Sequence, residues 1–450
     1  MSKFENDLSK GNVVKQLLMF SLPFLISTLL QSLYNVADMF IVGKFSGPVS
    51  ISGVNIGGQL TFIVTNIVVG LCAGGTVLIS QYVGSKDHQG IKETTATIAS
   101  TLLVSAVIVT IGLLLTKDLL LTLINTPEES YQESSNYLAV TSIGIIFIFG
   151  YNALSAIMRG MGDSKRPLFF VAIACVINII LDVILVGVFD MKAFGAAVAT
   201  VISQAISMFL CIWYMIKNKF VFDFKLSSFR FYKNRLKLMF KIGLPSAVQN
   251  GVTSLSFLFI TALVNEIGGY TASAAVGIVG RFNGFAIMPA IAMGASVSTM
   301  SAQNIGAGEW DRAKKTCRIG VIIAVAFSYS IFVIAQLFPE QILGIFDDNK
   351  IMIEQGVTYF RTFSFDYLVV PLVFCINGLF VASGHTMFSL INSMMSSILL
   401  RVPVAYVFGQ FLGMGLFGIG LGAPIASLGS LLVVLWFYFS KKWMINVIQK

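Results

Sequence analysis

Residues 167–189 read PLFFVAIACVINIILDVILVGVF, an unbroken apolar run with one charged residue, Asp182, past its middle. A helix that crosses a hydrocarbon layer of ~30 Å needs roughly 20 apolar residues, and this stretch has that length and composition. A transmembrane β-strand would instead run for about ten residues and alternate between two faces. The run predicts a helix in lipid. Comparable runs recur on both sides of it, at 14–42, 51–80, 93–116, 136–158, 193–216, 238–265, 272–300, 314–337, 356–382, 386–409 and 416–439. With 167–189 they make twelve predicted spans. Of the 450 residues, 56% are hydrophobic and 11% charged, whereas a soluble domain carries about 25% charge. The reading is an all-α, multi-pass membrane protein, with any chemistry inside the membrane.

The formal charge is +9, but the basic residues sit at the ends of apolar runs. They report membrane topology rather than nucleic-acid binding. One side collects Lys3, Lys10, Lys15, Lys86, Lys92, Arg159, Lys165 and Arg166, then a connector rich in Lys and Arg at 217–237. Arg312, Lys314, Lys315, Arg318, Lys441, Lys442 and Lys450 fall on the same side. The opposite side has Lys44, Lys117, Lys192 and Lys350 with the acidic stretches Glu128-Glu129 and Asp347-Asp348. The positive-inside rule places both termini in the cytoplasm, as an even number of spans requires. The five cysteines, Cys72, Cys175, Cys211, Cys317 and Cys375, lie in or beside apolar runs and read as packing residues rather than a disulfide framework. The first apolar run is too long for the core of a signal peptide.

Shifted by 222 positions, the chain matches itself. Leu22-Pro23 falls on Leu244-Pro245, Gly58 on Gly280, Gln81 on Gln303, Gly84 on Gly306, Tyr137 on Tyr359 and Gly162 on Gly384. After one inserted residue Phe194-Gly195 meets Phe417-Gly418. The shift covers six spans, an even number, so the halves run the same way through the membrane. They are expected to be six-helix bundles related by a pseudo-two-fold axis along the membrane normal. The expected domains are 1–216, the basic cytoplasmic linker 217–237, and 238–450, with alternating access by rocking of the two lobes.

Gln31-Ser32-Leu33-Tyr34-Asn35 with Asp38, Arg159-Gly160-Met161-Gly162-Asp163 with Pro167, and the paired Gln-x-x-Gly steps at Gln81 and Gln303 give the chain a resemblance, over its whole length, to the multidrug and toxic compound extrusion family. The resemblance implies secondary antiport, in which inward flow of H+ or Na+ drives export of organic, often cationic, compounds. It implies small-molecule substrates in a lipid setting, no cofactor, no nucleic acid, and a location in the cell membrane. A monomer is the default for such a two-lobe transporter.

A carboxylate near the bilayer centre costs at least ~2.5 kcal/mol on insertion scales, so an intramembrane acid is a functional candidate by default. Three acids lie well inside predicted spans: Asp38, Asp182 and Asp366. Asp182 has Asn178 one helical turn before it on the same face, apolar neighbours, and no basic residue within its span. A carboxylate desolvated without a partner holds a proton or recruits a cation. Asp38 has Asn35 and Gln31 at helical spacing. By the resemblance, Asp38, Asn178, Asp182 and Thr200, with Tyr137 as a weaker addition, form the cation-coupling set for H+ or Na+. The plainer alternative for any intramembrane Asp is a salt bridge or an interhelical hydrogen bond.

The second half departs from this pattern. The other main branch of the family binds sodium through acids in its seventh and tenth helices, but here residues 242–264 contain none and Glu266 falls at the outer end. Asp366 and Arg401 stand at matching depth and are expected to pair as a structural salt bridge. The duplicate of Asp182 is Val404 (404 − 222 = 182), one turn from Arg401. Gln31, Asn35, Arg281, Asn283 and Asn377 are candidates for the substrate cleft, with interhelical hydrogen bonding as the alternative role. Pro289, in mid-span, is a candidate kink. Pro23 and Pro245, near span starts, are bends or first-turn prolines. Ala73-Gly74-Gly75 and Gly418–Gly422 read as close-packing sites.

Two other functions compete with this reading. A lipid-linked precursor flippase would place several cations in its cleft, where Arg281, Arg361 and Arg401 are the candidates. A membrane-embedded enzyme needs a nucleophile with its base or a metal cluster, but both histidines, His88 and His385, fall in predicted loops.

Overall fold

A computed structural model of the chain describes residues 6–346 and 348–448. Lys3, Asp347 and Lys450, used above for topology, lie outside the described residues. Among those described there is no strand, and the helices follow in order. They are α1 Val13–Gly84, α2 His88–Leu123, α3 Glu128–Gly160, α4 Lys165–Asp182, α5 Lys192–Lys217, α6 Lys233–Ala286 and α7 Met288–Gly306. Then come α8 Trp310–Leu337, α9 Pro339–Gly344, α10 Lys350–Phe363, α11 Asp366–Ala382, α12 Thr386–Met394, α13 Val402–Tyr406 and α14 Gly415–Phe439. Among the described residues nine helical stretches are long and apolar enough to cross a membrane, or ten when the bent pair α10–α11 counts as one.

Two of these stretches are too long for one crossing. α1 has 72 residues, which at 1.5 Å per residue is about 108 Å. Its backbone leaves the helical region at Gly47, with φ 78° and ψ −174°, a conformation open to glycine. α6 breaks likewise at Gly269, with φ 63° and ψ −157°, and 269 − 47 is 222. Several other left-handed positions repeat in the same register: Lys86 with Gly308, Gly162 with Gly384, and then, one residue later, Asp190 with Gly413 and Lys192 with Gly415. The duplication read from side-chain identities is thus also written in the backbone.

Two predicted spans differ from the structure. Residues 356–382 do not make one straight helix: α10 and α11 meet at 45°. Pro371 lies in the second turn of α11, removing a backbone donor and crowding the turn before it. Asp366 therefore opens α11 beside the bend. The span 272–300 also breaks, between Ala286 and Met288, and Pro289 occupies the first turn of α7, where a missing N–H costs nothing. Pro23 and Pro245, by contrast, lie inside α1 and α6 rather than in a first turn.

Those two prolines mark where the chain changes compact unit. One unit holds Asn6, Asp7 and 22–244; the other holds 8–21 and 245–448. The boundaries expected from composition, 1–216 and 238–450, therefore differ at the leading helices. In the first unit, residues 232–244 are bound to the first half by contacts that composition does not reveal. Arg235 Nε donates to Glu93 Oε2 at 3.0 Å, its guanidinium lies over the Tyr82 ring, and Gly74 meets Gly243 with backbone against backbone. In the second unit, Leu8 N donates to Gln303 Oε1 at 2.9 Å, and Arg312 donates to the carbonyls of Leu8 and Gly11.

All five cysteines are buried, as packing residues would be. Gly420 and Gly422 abut the Tyr359 and Arg401 carbonyls, so the glycine-rich run in α14 serves close packing as read.

Candidate functional site

Within the first unit, four helices bring their polar residues to one place. Tyr34 and Asp38 stand one turn apart on α1 before the break at Gly47. Tyr137 comes from α3, Asn178 and Asp182 from α4, and Thr200, Ser203 and Gln204 from α5. Asp182 is fully buried and Asp38 is 5% exposed. The two carboxyls lie within reach of one another, with no basic group among the charges that act on either. The Tyr137 hydroxyl lies beside Thr200 and the Tyr34 hydroxyl beside Gln204. The five residues expected to form the coupling set are brought together.

The local chain explains the convergence. Asn178 and Asp182 share a face of α4 by their spacing of four. Directly after Asp182 the helix widens into a π-helical turn, Val183–Val188, a distortion frequent at functional positions. Small residues on α5, Ala193, Ala196 and Ala197, are fully buried and pack with Tyr137, Val42 and Val54, which lets the helices carrying the acids approach closely.

The polar atoms are poorly satisfied by protein. Both Asp182 oxygens, one Asp38 oxygen, both amide atoms of Asn178 and Gln204 Oε1 are buried without a hydrogen bond of ordinary geometry. A buried polar atom without a partner costs of order 1–3 kcal/mol, so a cluster of them in one spot is a binding device or a severe defect. A narrow cleft among Tyr34, Asn178, Thr200, Ser203 and Gln204 has about 10 Å³ of free volume, enough for one water-sized or ion-sized body. Chemically, the arrangement can hold a proton between two carboxyls, or surround a small cation with carboxylate, amide and hydroxyl oxygens.

Tyr34, Ser203 and Gln204 were not among the residues picked from sequence. The signal was available: Tyr34 is four before Asp38, and Gln204 four after Thr200, so each shares a helix face with a chosen residue. Of the cleft candidates on α1, Gln31 is half-buried and Asn35 exposed.

Among the described residues the second unit has no such cluster of acids. Asp366 and Arg401 are both buried, at 5% and 9% exposure, but the expected salt bridge is not formed: no ion pair within 4 Å joins them among the described residues. Asp366 senses the Arg401 charge from a distance, with the Ser427 hydroxyl beside it. Arg401 instead lies 4.8 Å over the Phe257 ring and donates through Nη1 to Ser256 Oγ at 3.4 Å. Matching depth brought the two charges near one another but did not fix the direction in which each side chain leaves its helix. Asn377 Oδ1 accepts from Ser389 Oγ at 3.2 Å, an interhelical bond rather than a cleft position. Arg281 is exposed. Asn283 lines a cavity of about 320 Å³ beside Phe257, Gly280 and Gly284.

The family model described as MatE matches the chain twice, at residues 23–184 and 245–407, and its two starts are again 222 apart. The chain is 30% identical over 454 residues to the probable multidrug resistance protein YoeA of Bacillus subtilis, covering 98% of this chain and 97% of that protein. It is also 30% identical over 441 residues to the probable multidrug resistance protein YpnP of the same organism, covering 97% of each. A solved outward-facing structure of a multidrug resistance MATE family transporter superposes with a TM-score of 0.91 at 23% identity, covering 97% of this chain and 98% of that one. The helical architecture is shared with that fold, and both halves of the chain carry the family's sequence pattern. The chain belongs to the multidrug and toxic compound extrusion family of multi-pass membrane transporters, and it is a transporter rather than an enzyme.

Proposed function

We propose that this chain is a secondary antiporter that exports organic, cationic, multidrug-type compounds in exchange for inward H+ or Na+. The observation that carries the reading is the pair of buried carboxyls, Asp38 and Asp182, which act on one another and have no basic neighbour, with both Asp182 oxygens and one Asp38 oxygen left without a hydrogen bond of ordinary geometry. A charge held in that state inside a membrane protein is a functional group by default. The names of the relatives, both multidrug resistance proteins, support the substrate class. In this reading the breaks at Gly47 and Gly269 each separate two crossings, which gives twelve in all. Both termini are cytoplasmic, the protein works as a monomer in the cell membrane, and the two halves alternate access to the two sides.

The experiment is transport in vesicles containing the purified protein, with a proton gradient and a sodium gradient imposed separately and efflux of a fluorescent cation followed. One of the two gradients drives efflux if the reading holds; a response to neither sinks it.

The second-half charges provide an internal control. Asp366→Asn is expected to lower folded yield or maximal export several-fold, because it alters a buried carboxyl beside Ser427 and near Arg401. The ion dependence of the remaining efflux should be unchanged. Loss of gradient dependence in Asp366→Asn, with gradient dependence retained in Asp182→Asn, would move the coupling site to the second half.

A further inference from the structure

We propose that each half ends in a binding place for the phosphate of an anionic phospholipid, built from an exposed tryptophan on its last spanning helix and the lysines that follow. The first half's place is the stronger of the two. The inference goes beyond the antiport reading and needs only that the chain lies in a membrane.

The last spanning helices of the two halves, α5 and α14, present the same outer stripe. On α5 it is Phe209, Trp213 and Ile216; on α14 it is Leu432, Trp436 and Phe439, all exposed. The spacing of four and then three keeps each set on one face. The second set is the first moved by 223 positions (436 − 213 = 223), the register reached after the inserted residue. The other side of α5 carries Ser203, Ser207, Cys211 and Met215, all buried. An exposed apolar stripe on a membrane-spanning helix meets lipid, and both stripes reach a tryptophan about one turn before the helix ends. Tryptophan concentrates at the level of the lipid headgroups, where its ring is half in hydrocarbon and half in water.

A lysine is held over each of these rings. Lys217 Nζ lies 4.7 Å from the centre of the Trp213 ring, and Lys442 Nζ lies 5.7 Å from that of Trp436. Trp213 is 57% exposed and Trp436 61%, so the rings are open to a third group alongside the ammonium. An indole offers one N–H donor and no acceptor, and an ammonium offers only donors, so the pair suits an anion. The chain then turns through the left-handed region at Lys219, with φ 55°, and at Lys441, with φ 58°, which brings a second exposed lysine to each helix end.

These lysines stand on a folded frame. After Lys219 the connector docks by Phe222, which is buried and packs edge-on against Phe224 and Phe229. It is tied again where Tyr232 N donates to Thr97 Oγ1 at 3.3 Å. In the second half Trp443 is buried and its Nε1 donates to the Tyr438 carbonyl at 3.0 Å. Anchoring the apolar residues inward leaves the cations outward. From 217 to 241 the lone acid is Asp223, and its carboxylate is engaged by Ser228 Oγ and by Lys225. From 440 to 450 there is no acid. Neither surface neutralises itself, and a cluster of cations beside a spanning helix attracts anionic headgroups. The connector adds exposed Arg230, Lys233 and Lys237 to the first place, hence its greater strength.

The test presents the purified full-length protein with equal amounts of phosphatidylglycerol and phosphatidylcholine bearing the same acyl chains, and counts retained lipid by native mass spectrometry. The parent should retain phosphatidylglycerol over phosphatidylcholine at least about threefold, and the preference should shrink at ~1 M salt, where charges are screened beyond about 3 Å. One lysine at an anionic surface is worth about a fivefold change in affinity. Lys217→Gln with Lys219→Gln should therefore lower phosphatidylglycerol retention at least about fivefold, and Lys441→Gln with Lys442→Gln by a smaller factor. Trp213→Leu, which keeps every charge, should also weaken the preference. Lys315→Gln with Arg318→Gln removes the same charge at exposed positions of α8 and should change it less than about twofold. Equal retention of the two lipids by the parent overturns the proposal, as does an equal loss in the α8 variant, which would reduce the effect to net charge. Release of the bound lipid by millimolar inorganic phosphate would make the place one for a free anion and overturn it as well. No gradient enters the measurement, so failure of gradient-driven efflux sinks the antiport reading alone.

Discussion

Asp182→Asn should abolish gradient-driven efflux while leaving the protein folded and able to bind substrate at equilibrium. The substitution keeps the shape of the side chain and removes its capacity to exchange a proton or neutralise a cation. Asp182 is fully buried and its interaction is with the facing Asp38 carboxyl, its oxygens having no other hydrogen-bond partner of ordinary geometry, so no bond bracing the helices to other groups is lost. A carboxyl that only braced two helices would behave differently: it would have partners, and its replacement would first reduce stability. Asp38→Asn is expected to have nearly as large an effect, because the two carboxyls act on one another and an ion held by both loses half of its charge complement. The measurement is initial efflux rate against imposed gradient in vesicles, with thermal unfolding in detergent as the check on folding. A drop of roughly a hundredfold in rate corresponds to about 2.7 kcal/mol. A stable Asp182→Asn protein that still couples efflux to the same gradient would exclude the carboxyl pair from the coupling step.

The positions of these acids were legible in the sequence because the membrane makes charge conspicuous. Against an apolar background, Asp38 and Asp182 stand out singly, and spacing of four places Asn178 on the face of Asp182. Their convergence was not legible from spacing. It rested on resemblance, and the structure supplies its cause in the small residues of α5 and the widened turn after Asp182. Tyr34 and Gln204 escaped notice because an aromatic hydroxyl and an amide carry no charge to flag them. The all-helical, multi-pass character was readable, since long apolar runs have only one way to satisfy their backbone in lipid, whereas helix ends such as those of α2 and α3 extend well beyond the apolar runs.

Other features depend on information that a linear reading lacks. The bend between α10 and α11 requires knowing that Pro371 acts on the turn before it. The missing contact between Asp366 and Arg401 is a matter of azimuth, which depth along two helices does not define. The exchange of leading segments, with 8–21 in one unit and 232–244 in the other, follows from contacts such as Arg235 with Glu93, distant in sequence and invisible to composition. The cavity beside Phe257 belongs to the same class. The duplication told which residues correspond, but whether a glycine faces open space or a neighbouring backbone is decided only in three dimensions.

That distinction sets the second large effect. Gly378→Leu should yield little or no folded protein, although Gly280→Leu, in the same half, should fold. A Cβ on Gly378 would lie 2.4 Å from the Gly294 carbonyl oxygen and 3.4 Å from Ser298 N, while a Cβ on Gly294 would lie 3.0 Å from the Phe374 carbonyl oxygen. Both obstructions are backbone of a packed helix, α7 against α11, and neither can rotate aside as a side chain would. In lipid, helices associate mainly by close packing, and small residues are what permit it. Forcing α7 and α11 apart would also strain the burial of Cys375, Leu379 and Ser296, all fully buried. Even Gly378→Ala should lower the midpoint of thermal unfolding, at the ~1–3 kcal/mol typical of overpacking. Gly280 faces no atom within 4 Å, so its leucine variant should elute as a single species with a midpoint close to that of the parent. The comparison is made on yield of monodisperse protein and on unfolding midpoints in one detergent. A well-folded Gly378→Leu protein would mean that α7 and α11 do not pack at this distance, and equal loss in both variants would mean that the cavity at Gly280 is not open.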